Sequence, residues 1–262
     1  MERTYENRFE DRIETDQSLD LRFDKRASGS LVIFLDGNAD EMSIRLHADE
    51  YSYVKIFIQN RMEHPLTLNL DANIETDAKI ELGLLDLQDD PLTFKADGSL
   101  NKQGATMELS TGQLCLGGKK KKSNIELTSK VPHTYGNIHN FAVVYDEGQY
   151  EMVAAGRIVK GAFGSESHQE TRVLTMGKDH TCVTLPILYI DENDVKASHA
   201  LTVGQPDAEQ LYYLQSRGLS TTQAMGLLAI GYFKPVVELI GDEVLRQEME
   251  QEIERRAGLY EH

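Results

Sequence analysis

From Leu31 onward the chain is a succession of short apolar runs, each closed by Asp, Asn, Gly or Lys. Leu31-Val32-Ile33-Phe34-Leu35 stops at Asp36-Gly37-Asn38. SIRLHA, YVKIFIQN, TLNLDANIETDAKIELGLLDL, ATMELSTGQLCL, SNIELTS, NFAVVYD, EMVAAGRIVKGA, ETRVLTM and TLPILYID follow in order. Positions such as Ile74, Ala78, Ile80 and Leu82, set against acidic or polar neighbours, carry the two-residue alternation of strands. No helical segment separates the runs, which excludes a doubly wound α/β fold and leaves a sandwich, a closed barrel or a solenoid. Hairpin dipeptides are scarce; Asp36-Gly37 and Asp97-Gly98 are the candidates for tight turns. Many runs are separated by only one or two polar residues, as in DANIETDAKIELG. A chain that turns corners in this way favours a β-helix of stacked coils. No strict repeat is visible, so periodicity alone leaves the choice open.

Past Gly204 the pattern changes to helix formers. Three helices are expected: Asp207 to Arg217, Thr221 to Phe233, and Pro235 to roughly Gly258. Asp207 is a candidate N-cap with Gln210 as its capping-box partner, and Ser220 with Gln223 repeats the motif. Gly218 fits the left-handed position that closes a helix. The last segment begins with Val236, Val237, Leu239 and Ile240 and then becomes almost entirely charged, as a solvated terminal helix does. The first thirty residues (ERTYENRFEDRIETD and beyond) are dense in charge, and we read them as a short amphipathic helix or a loosely held arm. The expected division is therefore a charged N-terminal segment over 1–30, a β core over 31–203 and a helical subdomain over 204–262.

Composition narrows the function. A formal charge of −16 over 262 residues argues against generic nucleic-acid binding, which needs a positive field. Cys115 and Cys182 are far apart and lack CxxC spacing, so neither a disulfide framework nor a zinc site is indicated. With no apolar opening segment and no run long enough to cross a bilayer, a soluble cytoplasmic protein is expected.

Most chemistry that was looked for is missing. GQLCLGGKKKK (112–122) has an extra glycine where a phosphate loop needs its lysine and follows no strand-to-helix unit, so no bound nucleotide is expected. Lys119 to Lys122 read as a solvated loop tip, with an acidic partner as the lesser reading. His133 and His139 are six residues apart without further ligands. His180 and Cys182 alternate, so both side chains can share one face, as a two-ligand set for iron or copper. Asp86, Asp89 and Asp90 can supply acids to a carbohydrate-active β-helix enzyme, although a polar corner explains them equally.

One stretch is more specific. Around His199 the chain reads VKASHALTVGQPDAEQLYYLQSRG: a histidine among small residues, then Thr202-Val203-Gly204, Leu211-Tyr212-Tyr213-Leu214 and Ser216-Arg217-Gly218. Ala224, Leu227, Leu228, Gly231 and Tyr232 continue the spacing. The run resembles the C-terminal part of the SufB and SufD iron–sulfur cluster assembly scaffold proteins. Gly161-Ala162 with Gln169 and Arg172, then Pro186, Leu188 and Val195, extend the resemblance upstream. SufB-type chains carry a cysteine where Thr171 stands and a glutamate where Ala200 stands, so the resemblance is to SufD.

The resemblance implies a right-handed parallel β-helix core with a C-terminal helical subdomain. It implies a non-enzymatic scaffold that pairs with a SufB-like subunit and docks a SufC-like ATPase through its helical tail. His199 would then be an iron or cluster ligand at the subunit seam, holding a transient cluster shared with the partner. The tail surface implied for the ATPase comprises Leu211, Tyr212, Tyr213, Leu214, Arg217, Gly218, Leu227, Leu228 and Tyr232. A self-pairing homodimer, an interaction protein without cluster chemistry, and the carbohydrate-active enzyme are the alternatives.

Overall fold

A computed structural model describes residues 1–177 and 179–257. Sixteen strands alternate between two sheets, and consecutive strands never pair. One sheet holds β1 (Glu2–Tyr5), β3 (Leu19–Phe23), β5 (Glu41–Ala48), β7 (Leu66–Ile74), β9 (Leu92–Leu100), β11 (Lys120–Ser129), β13 (Gln149–Ile158) and β15 (Thr181–Ile190). The other holds β2 (Arg8–Thr15), β4 (Ser28–Leu35), β6 (Tyr53–Asn60), β8 (Lys79–Asp86), β10 (Thr106–Cys115), β12 (Tyr135–Tyr145), β14 (Glu166–Met176) and β16 (Lys196–Gly204). Every pairing is parallel and joins strands two apart in sequence, so the chain winds as a β-solenoid. Parallel strands cannot be joined by a tight hairpin, which accounts for the missing hairpin dipeptides. Asp97-Gly98 accordingly forms no turn: both residues lie within β9, where Leu127 and Met107 fill the space beside Gly98.

The repeat escapes sequence inspection because coil length drifts. Arg8 stands beside Ser28, twenty residues on, whereas Glu166 stands beside Lys196, thirty residues on. Inside, alternate residues stack into ladders from coil to coil. One runs Leu31, Ile56, Leu82, Leu109 and Ile138, all essentially without solvent exposure. Each such side chain contributes roughly 1.5–3 kcal/mol on burial, so the ladders supply the main driving force for stacking.

The opening segment is not an arm or an amphipathic helix. Residues 2–5, 8–15 and 19–23 are strands of the first coils, with Tyr5, Ile13, Leu19, Leu21 and Phe23 buried inside. Charge density hid a period-two pattern: in LDLRF the leucines and the phenylalanine point in, while Asp20 and Arg22 point out. Tyr5, Phe9 and Phe23 form an aromatic cluster, and Tyr5 Oη donates to Asp11 at 2.8 Å.

The three C-terminal helices are α1 (Ala208–Ser216), α2 (Thr221–Val237) and α3 (Glu243–Arg256). Asp207 caps α1 by accepting from Glu209 N rather than through the expected Gln210 box, and the Ser220–Gln223 box caps α2. Gly218, at φ +96°, closes the first helix in the left-handed region. Pro235 lies inside α2 instead of opening α3. Gly231, four residues before it, whose carbonyl loses its usual helical donor there, is an exposed residue. Asp242 then caps α3. Gly258, the expected end of that helix, lies outside the described residues.

Helix α2 crosses the outer face of β8, β10, β12 and β14. There Phe34, Phe57, Leu85, Leu114, Phe141 and Val143 form a second apolar layer with Phe233, Val236, Val237, Leu245, Met249 and Ile253 of the helices. Gly83 and Gly112 admit the helix: a Cβ on Gly83 would meet Leu239 Cδ1 at 2.6 Å, and one on Gly112 would meet Phe233 Cδ1 at 3.1 Å. No helix of the described residues is long and apolar enough to cross a membrane.

Candidate functional site

The last two strands end the solenoid without a further coil over them. Among the described residues β15 pairs only with β13, and β16 only with β14. Their outer edges therefore present unpaired backbone donors and acceptors, a template for another strand. Residues of β16 that continue the interior ladders are exposed for the same reason, among them Leu201 at 42% and Val203 at 46%. The outward face of β15 is unusual as well. In β7, β9 and β11 the outward positions are polar (Asn69, Lys95, Asn124), whereas β15 presents Val183, Leu185 and Tyr189, 40–54% exposed. Arg157 lies over the Tyr189 ring at 4.2 Å.

His199 sits in the middle of this open end. It pairs in register with Gln169 and so tops the ladder of Leu31, Ile56, Leu82, Leu109 and Ile138. The ladder turns polar at its last two rungs. Gln169 is buried; its Nε2 donates to Ile187 O at 2.7 Å, and its Oε1 has no hydrogen-bond partner. A carbonyl acceptor is thus held one strand below an exposed imidazole. Such an acceptor can take the N–H of one ring nitrogen and leave the other for a metal. Beside Gln169, Thr171 is buried in a rising ladder of side-chain bonds, Thr111 Oγ1 to Asn140 Oδ1 at 2.9 Å and Asn140 Nδ2 to Thr171 Oγ1 at 3.2 Å. No set of three histidine, cysteine or acidic side chains is arranged to hold a metal ion among the described residues. One chain therefore supplies a single imidazole here, and a cluster or iron held at this point requires further ligands from outside it.

The other candidates separate. His180 precedes β15 with Nδ1 buried and unbonded, and Cys182 is half-buried beside Tyr150 in the interior. Cys115 lies inside at the end of β10, and burial drives its thiol well above the usual range. His133 is at a corner, edge-on to Phe163, while His139 lies on the outer face of β12 beside Glu170 at 3.6 Å.

The lysine run is not a loop tip. Lys120 to Lys122 open β11; Lys120 and Lys122 point outward and pair with Glu151, which their hydrogen bonds hold below the usual carboxylate range. Lys121 points inward and is fully buried. Its Nζ meets Asp86 Oδ2 at 2.8 Å, Gln88 O at 2.7 Å and Asp90 O at 2.6 Å. Asp86 is itself held by Asn60 Nδ2 at 3.1 Å, so it is no free acid for glycoside chemistry. Asp90 and Asp89 face Lys119 and Arg256 at 3.8 and 3.9 Å.

On the tail, α1 has no buried residue and packs mainly on α2. Tyr212 is 73% and Tyr213 56% exposed, and Arg217 lies over the Tyr213 ring at 5.2 Å. Tyr213, Leu214, Leu227 and Leu228 line a groove of about 440 Å³ with Asp207 and Glu209 at its rim. Leu211 is half-buried and Gly218 exposed, while Tyr232 packs on the apolar layer under α2. Of the nine residues implied for partner binding, four thus line one groove.

The chain is thus a parallel β-solenoid with an open, histidine-bearing end and a helical tail across one face. Comparison with known proteins gives the family. The family described as "SUF system FeS cluster assembly, SufBD core domain" matches residues 22–232, and the chain belongs to it. It is 33% identical over 184 residues to the iron–sulfur cluster assembly protein SufD of Bacillus subtilis, covering 69% of this chain and 41% of that protein. Against SufD of Escherichia coli it is 25% identical over 209 residues, covering 78% and 48% respectively. The similarity is SufD-like, and the chain spans less than half the length of these two relatives.

Proposed function

We propose that the chain is a SufD-like scaffold component of iron–sulfur cluster assembly in the cytoplasm. In this reading its open solenoid end joins a SufB-like subunit and its tail docks a SufC-like ATPase, while the chain itself binds no nucleotide and catalyses no reaction. The observation that carries the reading is the position of His199. It is an imidazole at the top of a core ladder, on an unpaired edge, in a chain whose family is the SufB/SufD core. Joining a second solenoid there extends both sheets, satisfies the edge groups of β15 and β16, and covers Val183, Leu185, Leu201 and Val203. His199 would then lie at the seam as one ligand of a transient cluster, the rest coming from the partner. Imidazole is a suitable nitrogen ligand for iron once its coordinating nitrogen is unprotonated. The exposed tyrosines and groove of α1 and α2 are the surface assigned to the ATPase.

Co-expression with SufB-type and SufC-type chains, followed by size-exclusion with mass detection, tests the placement. A stoichiometric complex that loses the ATPase on truncation after Gly204 is expected; a homodimer indifferent to both chains would replace the heteromeric reading with a self-paired scaffold. His199→Ala tests the ligand role within the intact complex. Unchanged cluster loading would reduce the residue to structure.

A further inference from the structure

The end of α3 reaches a place that no resemblance assigns. Arg256 Nη2 donates to Gln88 Oε1 at 3.1 Å, its Nη1 lies 3.9 Å from Asp89, and its Nε is held by Glu252 at 3.0 Å. One residue on, Ala257 O accepts from Tyr145 Oη at 2.9 Å. Gln88 is the joint between this contact and the interior. Its Nε2 donates to Asn60 O at 3.3 Å, its backbone N donates to Asp86 Oδ1 at 3.2 Å, and its carbonyl accepts from Lys121. Asn60 in turn donates to Asp86 and accepts from Met62 N at 3.1 Å. A continuous set of hydrogen bonds therefore runs from the last turn of the helical tail to a fully buried ion pair in the solenoid core.

We infer that the end of α3 is a coupling latch, through which displacement of the helical tail loosens the solenoid interior at Asp86, Gln88 and Lys121. The physical basis is the setting of the ion pair. Asp86 Oδ2 meets Lys121 as an ion pair without a hydrogen bond of its own, so the pair leans on the bonds that remain, to Asp86 Oδ1 and from Lys121 to two carbonyls, and in a low-dielectric interior each lost bond weakens the others. Gln88 makes three of the relevant bonds, and Arg256 fixes its side chain. Pulling Arg256 away leaves the Gln88 side chain held by Asn60 O alone and so loosens the backbone whose N–H and carbonyl meet Asp86 and Lys121, without breaking any apolar ladder. The inference rests on the proposed function only for what would move the tail; the contacts themselves belong to the isolated chain.

Amide hydrogen exchange on the full chain tests it. Arg256→Ala, a change at a partly exposed side chain, is expected to raise exchange at the amides of Gln88 and Met62 by about tenfold, with the β14 amides unchanged. A change confined to residues 252–257 would overturn the latch and leave a simple surface anchor. A second measurement combines Arg256→Ala with Lys121→Met, two residues that do not touch. Effects of the two on Gln88 exchange that are less than additive support coupling through Gln88; independent effects count against it. Should Lys121→Met fail to fold, the Arg256→Ala result decides alone. Because no partner is present in either assay, failure here leaves the scaffold reading standing, and failure of the scaffold reading leaves the latch standing.

Discussion

Lys121 and His199 are opposite cases at the residue scale. Lys121 is wholly buried with three oxygen partners. Lys121→Met leaves Asp86 as an uncompensated buried carboxylate, and the expected loss is about 3–5 kcal/mol in denaturant unfolding. Replacing both, as Lys121→Met with Asp86→Leu, should return much of it. A single-variant loss below about 1 kcal/mol would contradict the buried-pair assignment. His199 is exposed at the open edge, so His199→Ala should leave stability within about 0.5 kcal/mol while altering any cluster chemistry. The legibility of the two also differs. His199 stands out only through its motif, because an isolated histidine in a small-residue strand carries no signal of its own. Lys121 was misread because a four-lysine run looks solvated. Counting back in twos from Ile125 through Ser123 would have placed it inside, with Lys120 and Lys122 outside.

At the scale of elements, the tail is seated by glycines and caps. Ser220→Ala removes the side-chain half of the α2 capping box, Gln223 N to Ser220 Oγ, and keeps the bond from Ser220 N to Gln223 Oε1, with an expected cost of about 1 kcal/mol and fraying of residues 221–224 in hydrogen exchange. Gly83→Ala drives a methyl into Leu239. It should lower the thermal midpoint and raise the protease sensitivity of the α2–α3 connection, whereas an unchanged midpoint would mean that the helix can lift without cost. The caps and the closing Gly218 were legible because their chemistry is local. Pro235 was not, since proline locally favours the start of a helix, and its place inside α2 is set by how that helix packs on the solenoid. The strands of residues 2–23 were hidden likewise: their charges belong to the outward face, and only the coil above fixes which face is inward.

For the whole molecule, titration sets the range of stability. Burial, reinforced by the hydrogen bond to Asp11, pushes Tyr5 up to about 12, and burial alone pushes Tyr145 up to about 12. In the unfolded chain both titrate near pH 10. Their contribution is therefore complete below about pH 10 and is lost as pH rises toward 12. On the acid side, burial raises Glu81 but the bonds from Lys79 and Tyr53 outweigh it and hold the carboxyl low. Its contribution is present above about pH 4.3 and disappears as pH falls through the lowered value. Denaturant midpoints measured across pH should form a plateau between these limits; a decline beginning near pH 8 would show that other groups dominate. Association is testable at the same scale. Leu185→Lys or Leu201→Lys places a charge on the open end and should abolish pairing in size-exclusion while leaving the fold intact, since both side chains are exposed.

The drift in coil length from twenty residues to thirty has a consequence for how such scaffolds assemble. The described solenoid widens along the chain: one sheet goes from a strand of four residues to one of ten, the other from eight to nine. A broad rim laid on the narrow end of the described solenoid would leave part of its edge groups unpaired, which disfavours head-to-tail growth. Two broad rims brought face to face match in size and leave no broad rim over. In the proposed pairing, a sticky sheet edge, ordinarily an aggregation hazard, becomes a contact that stops at two.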